Sequence, residues 1–263
     1  MKRILPFLFF IPALLFAQEK KIKSFKASDE IIQATVDRAG DFYITLKTGE
    51  IQKYNKDGEL LHSFQHKSIP TLFDPTNAMR LLVYYRDLEE YAWLSPDLEL
   101  SSFLKIDPSF AIEPSLLCPS GERDLWILDA SDFSMKKISQ RDSKVTNEFV
   151  VKSDVILSAK AVTSIREYQN ELFLFDQKQG ISIYNGFGKQ IRFIAVKNLK
   201  GYNFLGEELY YLEDGKIKFL DLFTGQKSEL PFMIAADFVV LTDERMLTTK
   251  SDQVDVYEFH PPK

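Results

Sequence analysis

The sequence predicts an all-β protein assembled from six repeats of short antiparallel strands. Three observations carry that prediction. A polar turn followed by a compact apolar run recurs six times, and glycine or Asn/Asp punctuates the gaps between runs. After residue 17, no segment sustains the i, i+3, i+4, i+7 apolar spacing of an amphipathic helix for three turns. Composition agrees: 45% of the 263 residues are apolar and 27% charged, the profile of a folded chain that is neither disordered nor a membrane bundle.

The first seventeen residues stand apart. Lys2 and Arg3 precede thirteen almost wholly apolar residues, 4–16, and Ala17 is followed by polar Gln18, Glu19, Lys20 and Lys21. A cationic start, an apolar stretch and a small residue before the cut are the three zones of a secretory signal. A run broken by Pro6 and Pro12 is well short of the roughly 20 residues that span a bilayer. The expected organisation is therefore a signal peptide, 1–17, cleaved after Ala17, and a single domain, 18–263. The mature protein is expected to be periplasmic or secreted, with no membrane insertion after cleavage. The formal charge of −5 becomes more negative once Lys2 and Arg3 are removed, so the chain carries no electrostatic footprint for nucleic acid or anionic lipid. One cysteine excludes an intrachain disulfide framework and a Cys-based zinc cage.

The apolar runs begin at Phe42, Leu81, Leu125, Leu172, Leu209 and Met246, separated by 39, 44, 47, 37 and 37 residues. Their mean spacing is close to 41, and dividing the 246 residues that follow Ala17 among six units also gives 41. Each run leads through a second turn to another strand: Lys47-Thr48-Gly49-Glu50 into 51–54, Gln177-Lys178-Gln179-Gly180 into 181–184, and Glu213-Asp214-Gly215 into 216–219. Third turns follow at 55–58, 95–97, 185–188 and 224–225. All eleven glycines are expected between strands, where tight hairpins require positive φ.

Hairpin-linked strands repeating every forty-odd residues predict a six-bladed β-propeller of four-stranded antiparallel blades. Continuous apolar runs fit strands covered on both faces by neighbouring blades. The 22 Phe and 11 Tyr supply flat faces for the wedges between sheets. The last unit stops after a third strand at 254–259, whereas 20–25 forms a spare strand ahead of the first unit at Ile31. The ring is thus expected to close by an N-terminal strand joining the last blade, which removes two exposed sheet edges.

With these repeats in place, residues 22–259 resemble six-bladed propellers of the broad NHL/TolB-like kind. Residues 220–226, Leu-Asp-Leu-Phe-Thr-Gly-Gln, resemble the D-x-x-T-G turn of quinoprotein-type repeats such as those of outer-membrane assembly scaffold propellers. The stretch 73–85 is similar to one in exported bacterial propellers. This resemblance implies the architecture and no particular activity. Some six-bladed enzymes, lactonases and strictosidine-type lyases, line a central channel with acids and Asn around calcium. Carried to this chain, that implies Asp37, Asp74 and Asn77 as candidate metal ligands, although the same residue types ordinarily cap turns.

Other motifs are sparse. There is no G-x-S-x-G elbow, no ordered Ser-His-Asp set and no EF-hand loop, so neither a catalytic residue nor a cofactor is expected. Gly186-Phe187-Gly188-Lys189 lacks the spacing of a phosphate loop and reads as a hairpin turn. His62 and His66, either side of Phe64 at a strand end, are expected to be solvated loop residues. Cys118, in an apolar run, is expected to be a small buried hydrophobe. Unit two concentrates Tyr84, Tyr85, Tyr91 and Trp93 among Arg80, Arg86, Asp87, Glu89 and Glu90. Blade packing should consume Tyr84 and Tyr85. Tyr, Trp and Arg dominate interface hot spots, which leaves Arg86, Tyr91 and Trp93 as the candidate binding residues. The expected function is a monomeric, non-enzymatic binding or scaffold module for an envelope protein or peptide. Its rivals are a calcium-dependent lactonase- or lyase-like propeller and a carbohydrate-binding one.

Overall fold

The apolar runs become strands with no wet face. All five residues of Phe42–Leu46 and of Leu81–Tyr85 are buried, as are 125–129 and 172–176. Strands of this kind must be covered on both sides, and the neighbouring sheets cover them. The computed structural model describes residues 20–261; the expected signal segment, 1–17, lies outside them.

Strand β1 (Lys21–Lys26) comes first in the chain. Blade 1 is β2 (Ile31–Val36), β3 (Phe42–Leu46), β4 (Ile51–Tyr54) and β5 (Leu60–Phe64), and blade 2 is β6 (Leu72–Asp74), β7 (Leu81–Tyr85), β8 (Glu90–Leu94) and β9 (Leu100–Lys105). Blade 3 is β10 (Pro114–Ser120), β11 (Asp124–Asp129), β12 (Ser134–Ser139) and β13 (Lys144–Val150). Blade 4 is β14 (Ser164–Tyr168), β15 (Glu171–Asp176), β16 (Gly180–Asn185) and β17 (Gln190–Ala195). Blade 5 is β18 (Tyr202–Leu205), β19 (Glu208–Glu213), β20 (Lys216–Asp221) and β21 (Lys227–Glu229). Blade 6 is β22 (Phe238–Leu241), β23 (Arg245–Lys250) and β24 (Gln253–Glu258), completed by β1. Every pairing is antiparallel. The chain is a six-bladed β-propeller, as its forty-residue period predicts.

The core lies between the blades. Separate hydrophobic clusters fill the joints between blades 1 and 2, 2 to 4, 4 and 5, 5 and 6, and 6 and 1. Outer strands β9 and β21 are largely exposed, so burial grades outward from the axis.

Closure runs as expected. β1 pairs with β24 through Ser24–Asp255, Phe25–Val254 and Lys26–Gln253, and Phe25 also stacks on Tyr54 of blade 1 at 4.9 Å. Two ion pairs reinforce the same joint: Arg245 Nη2 with Asp57 Oδ1 at 2.9 Å and Lys56 Nζ with Glu244 Oε2 at 2.9 Å.

Two expectations need correction. Gly180 does not lie between strands; it opens β16 at φ 130°, where an added Cβ would stand 2.0 Å from the Ile194 carbonyl oxygen. The two histidines meet the expectation of solvated loop residues only in part: His62 is half-exposed but lies in a strand, and His66 lies in the loop after β5 but is half-buried. His62 sits in β5 opposite Lys53, with Nε2 3.2 Å from Asp97 Oδ1. His66 is packed against Tyr85 and Phe103, each at 4.5 Å, and burial pushes its pKa below the ordinary histidine range. Cys118 is fully buried in β10, as expected, and burial pushes its thiol well up.

The axis is polar and internally neutralised. Arg166 of blade 4 sets Nε 3.5 Å from Asp74 Oδ2 of blade 2. It also donates from Nη1 to Asn203 Oδ1 of blade 5 at 3.2 Å and from Nη2 to Thr35 Oγ1 of blade 1 at 3.3 Å. One guanidinium thereby ties four inner strands together. Removing one member of a buried pair strands the other charge, at a cost of about 3–5 kcal/mol. Arg166→Leu should lower the unfolding free energy in urea by about 3 kcal/mol, and adding Asp74→Asn should recover part of that loss. A single-variant loss too small to measure would show that the axial pair does not hold the ring. Deletion of residues 20–27 should lower the melting temperature by on the order of 10 °C and broaden the calorimetric transition; an unchanged melt would dismiss β1 as the closing strand.

Candidate functional site: a groove between blades 2 and 3

Alternation along two paired strands builds one wall of the groove. Leu82 pairs with Trp93 and Tyr84 with Tyr91, so all four side chains leave the same face of blade 2, towards blade 3. Tyr84 is consumed by packing, its hydroxyl donating to Pro114 O at 2.6 Å, while Tyr85 faces the other way into the joint with blade 1. Burial pushes both phenols up. Tyr91 and Trp93 line a groove of about 440 Å³ whose opposite wall is Leu125, Ile127 and Ile138 of blade 3. The Tyr91 hydroxyl accepts from Gln140 Nε2 at 3.0 Å, and burial raises its pKa. The Trp93 indole N–H is buried without an acceptor among the described residues.

Arg80 supplies what the sequence reading sought from Arg86. Its Cζ lies 4.3 Å from the centre of the Trp93 ring, a cation–π contact, and Nη1 donates to Glu122 O at 3.4 Å. Arg86 follows β7 at the opposite end from Trp93 and donates from Nε to Ser115 O at 2.7 Å. The structure thus brings Tyr91 and Trp93 together and leaves Arg86 outside their groove. At its upper end the groove opens into a cavity of about 470 Å³ lined by Arg80, Arg123, Gln140 and Arg141. Sequence reasoning missed Arg123 and Arg141, though a register of the turns would have found the first: Arg80 and Arg123 both close the turn before an apolar run.

The lower end is fixed by Asp129, whose side chain is fully buried at the end of β11. Its Oδ1 accepts the Glu113 and Ser131 N–H groups at 3.0 Å each, and its Oδ2 accepts Ile112 N–H at 3.0 Å and Lys136 Nζ at 2.7 Å. These bonds anchor the connection that carries Phe110 into the groove. Burial works against the charged carboxylate, but Lys136 and the converging donors outweigh it and hold Asp129 well below the usual carboxylate range.

A second cavity, a bowl of about 730 Å³, sits over the axis with Arg166 and the stacked pair Tyr168–Phe204 in its lining. The residues implied as calcium ligands do not assemble there. Asp37 accepts the N–H groups of Ala39 and Asp41 and the Tyr43 hydroxyl, and burial pushes its pKa up. Asp74 accepts Thr76 N–H at 2.8 Å and faces Arg166, while Asn77 accepts Met79 N–H at 3.0 Å. With a guanidinium where a cation's charge would be, this set does not fit a calcium site. Among the described residues, no three His, Cys, Asp or Glu side chains converge on a metal-sized position.

No family model and no curated protein matches the chain. Solved propellers do. A streptogramin B lyase superposes with a TM-score of 0.56 at 14% identity, over 91% of this chain and 87% of that one. A chain of a mitotic checkpoint complex gives 0.60 at 10% identity, over 99% and 100%. The Pan2 WD40 domain of Neurospora crassa gives 0.56 at 8% identity, over 92% and 86%. At these identities the likeness shows the fold alone, a β-propeller.

Because the folded pKa of Asp129 is depressed, its stabilisation is complete above the unfolded value of about 3.9 and is lost as pH falls below it. Asp129→Asn should therefore be less stable than wild type near neutrality, with the difference shrinking below about pH 4 in urea titrations. A pH-independent difference would mean that the carboxylate charge does not anchor this wall.

Proposed function

We propose that the chain is exported and acts as a non-enzymatic protein-binding module of the cell envelope, taking its partner in the groove between blades 2 and 3. One observation carries this reading: Trp93, a residue type that dominates interface hot spots, is only half-buried and lines an open groove, with its indole N–H left without an acceptor among the described residues. A rigid ring suits the task, since it holds a groove made from two sheets without ordering cost on binding. The bowl over the axis is the poorer candidate, because Arg166 is neutralised by Asp74 and Lys56 by Glu244. Export is supported by the three-zone composition of residues 1–17.

The test places a photo-crosslinking amino acid at Leu104, on the groove rim, and as a control at Phe187 in the exposed β16–β17 turn of blade 4. In cells, position 104 should give a discrete protein adduct that Trp93→Ala removes, and position 187 should not. Protein recovered from the periplasmic fraction should begin at Gln18. Equal labelling from both positions, or a cytoplasmic chain retaining residues 1–17, would overturn the reading.

A further inference from the structure

The joint of blades 6 and 1 and the joint of blades 2 and 3 share a geometry and carry arginine at the same place, yet differ in what faces it. At the joint of blades 6 and 1, Arg245 immediately precedes an apolar run and pairs with Asp57, in the outer turn of the next blade. Arg80 holds the corresponding place at the joint of blades 2 and 3: Leu247 and Leu82, two residues further on in each case, both pack against the following blade. The partner position can be counted as well. Tyr54 pairs with Phe42 and Ile138 with Leu125, each opposite the first residue of a run and each at a register shift. Three residues beyond Tyr54 is Asp57; three residues beyond Ile138 is Arg141. Where one joint sets a carboxylate against its arginine, the other sets a second arginine.

The neighbouring pair is altered in the same sense. Glu244 meets Lys56 at the first joint, whereas their counterparts at the second are Met79, largely exposed, and Gln140. Arg123 adds a third guanidinium to the cavity. Among the described residues no carboxylate forms an ion pair with Arg80, Arg123 or Arg141, in a chain whose acids outnumber its bases 38 to 33. Asp142, next to Arg141, instead has Oδ2 3.3 Å from the Ser139 hydroxyl. Three like charges held around one cavity repel, and an arriving carboxylate relieves that repulsion while gaining charge-assisted, bidentate hydrogen bonds.

We infer that the groove recognises an acidic segment of its protein partner, with an apolar side chain seated between Trp93 and Ile138 and adjacent carboxylates on Arg80, Arg123 and Arg141. This rests on the groove being the binding site and names the chemistry it selects. A polyanion without an apolar anchor would use the arginines and leave the groove of about 440 Å³ unfilled, so a peptide is favoured. Basic segments are rejected by like charge.

The experiment measures fluorescence anisotropy of three labelled peptides against the mature protein at low salt. The first is a Glu/Asp-rich heptamer with a central Leu-Phe, the second the same peptide with Lys for each acid, and the third the acidic peptide with Leu-Phe replaced by Ser-Ser. The first should bind at least tenfold more tightly than either other and weaken steeply as salt is raised. Arg123→Gln with Arg141→Gln should weaken it about tenfold or more. Arg141→Asp, which rebuilds the blade 6–1 pairing for Arg80, should raise the melting temperature of the free protein while abolishing binding. If Trp93→Ala removes binding but the arginine variants do not, the groove stands and the acidic partner falls. If neither set of variants affects binding, the groove itself is wrong. Tight binding of long-chain polyphosphate that outcompetes the first peptide and ignores Trp93→Ala would assign the arginines to a polyanion. No binding of the first peptide up to millimolar concentration would also overturn the proposal.

Discussion

A ring of sheets must bring its two ends together, and that meeting sets the terms for the rest of this molecule. Joining β1 to β24 closes a loop of about 230 residues, a length-dependent entropic cost of roughly 5 kcal/mol by the (3/2)RT ln n scaling. The ladder they form is short, and a handful of strand hydrogen bonds at about 1 kcal/mol net apiece offsets that cost without much surplus. The surplus comes from packing across the joint: Phe25 stacked on Tyr54, and the valines of β24 buried against blade 1. This explains why the closing joint also carries the paired turns Arg245–Asp57 and Lys56–Glu244. Each such pair is worth little alone, but they tie blade 1 directly to β22–β23, the part of blade 6 that β1 reaches only through its ladder with β24.

The axis poses the complementary problem. Six inner strands converge on a narrow space, and their inward side chains must be satisfied without water at every position. Burying an arginine is tolerable only when its donors are met, and Arg166 meets acceptors from three other blades. The ring therefore has a hub as well as a clasp. With Asp74 committed to that hub, the axis is not left with the loose cluster of acids a hard cation would require.

What could be read from the sequence divides along sequence distance. The strands, the forty-residue period and the closing strand were legible because their signals are local: apolar runs such as Leu81–Tyr85, and turns such as 220–226, where Asp221 accepts the N–H groups of Phe223 and Thr224. Tyr91 and Trp93 were singled out by residue type, and alternation along β8 is what puts them on one face. The hub was not, since Thr35 and Arg166 are 131 positions apart and nothing near either names the other. Arg86 was chosen for its nearness in sequence to Trp93, but an antiparallel hairpin carries it to the far end of the sheet while returning Arg80 to the indole. His66 misled for a related reason: its strand end reads as a loop entry, and only the fold brings Tyr85 and Phe103 onto its ring.

Equivalent positions in a repeat protein are a natural control for one another. Where two joints share register and turn geometry, a difference in charge between them cannot be put down to the fold, because the fold is common to both. The closing joint shows that the turn geometry accommodates acid against base, and the joint of blades 2 and 3 has base against base beside a groove lined by Trp93 and Ile138. It is also spanned by the connection between β9 and β10, which Asp129 anchors, so its turns are not the sole tie between the blades. Its side chains are thus free to be selected for something outside the ring, and electrostatic complementarity governs both the rate and the choice of such a partner.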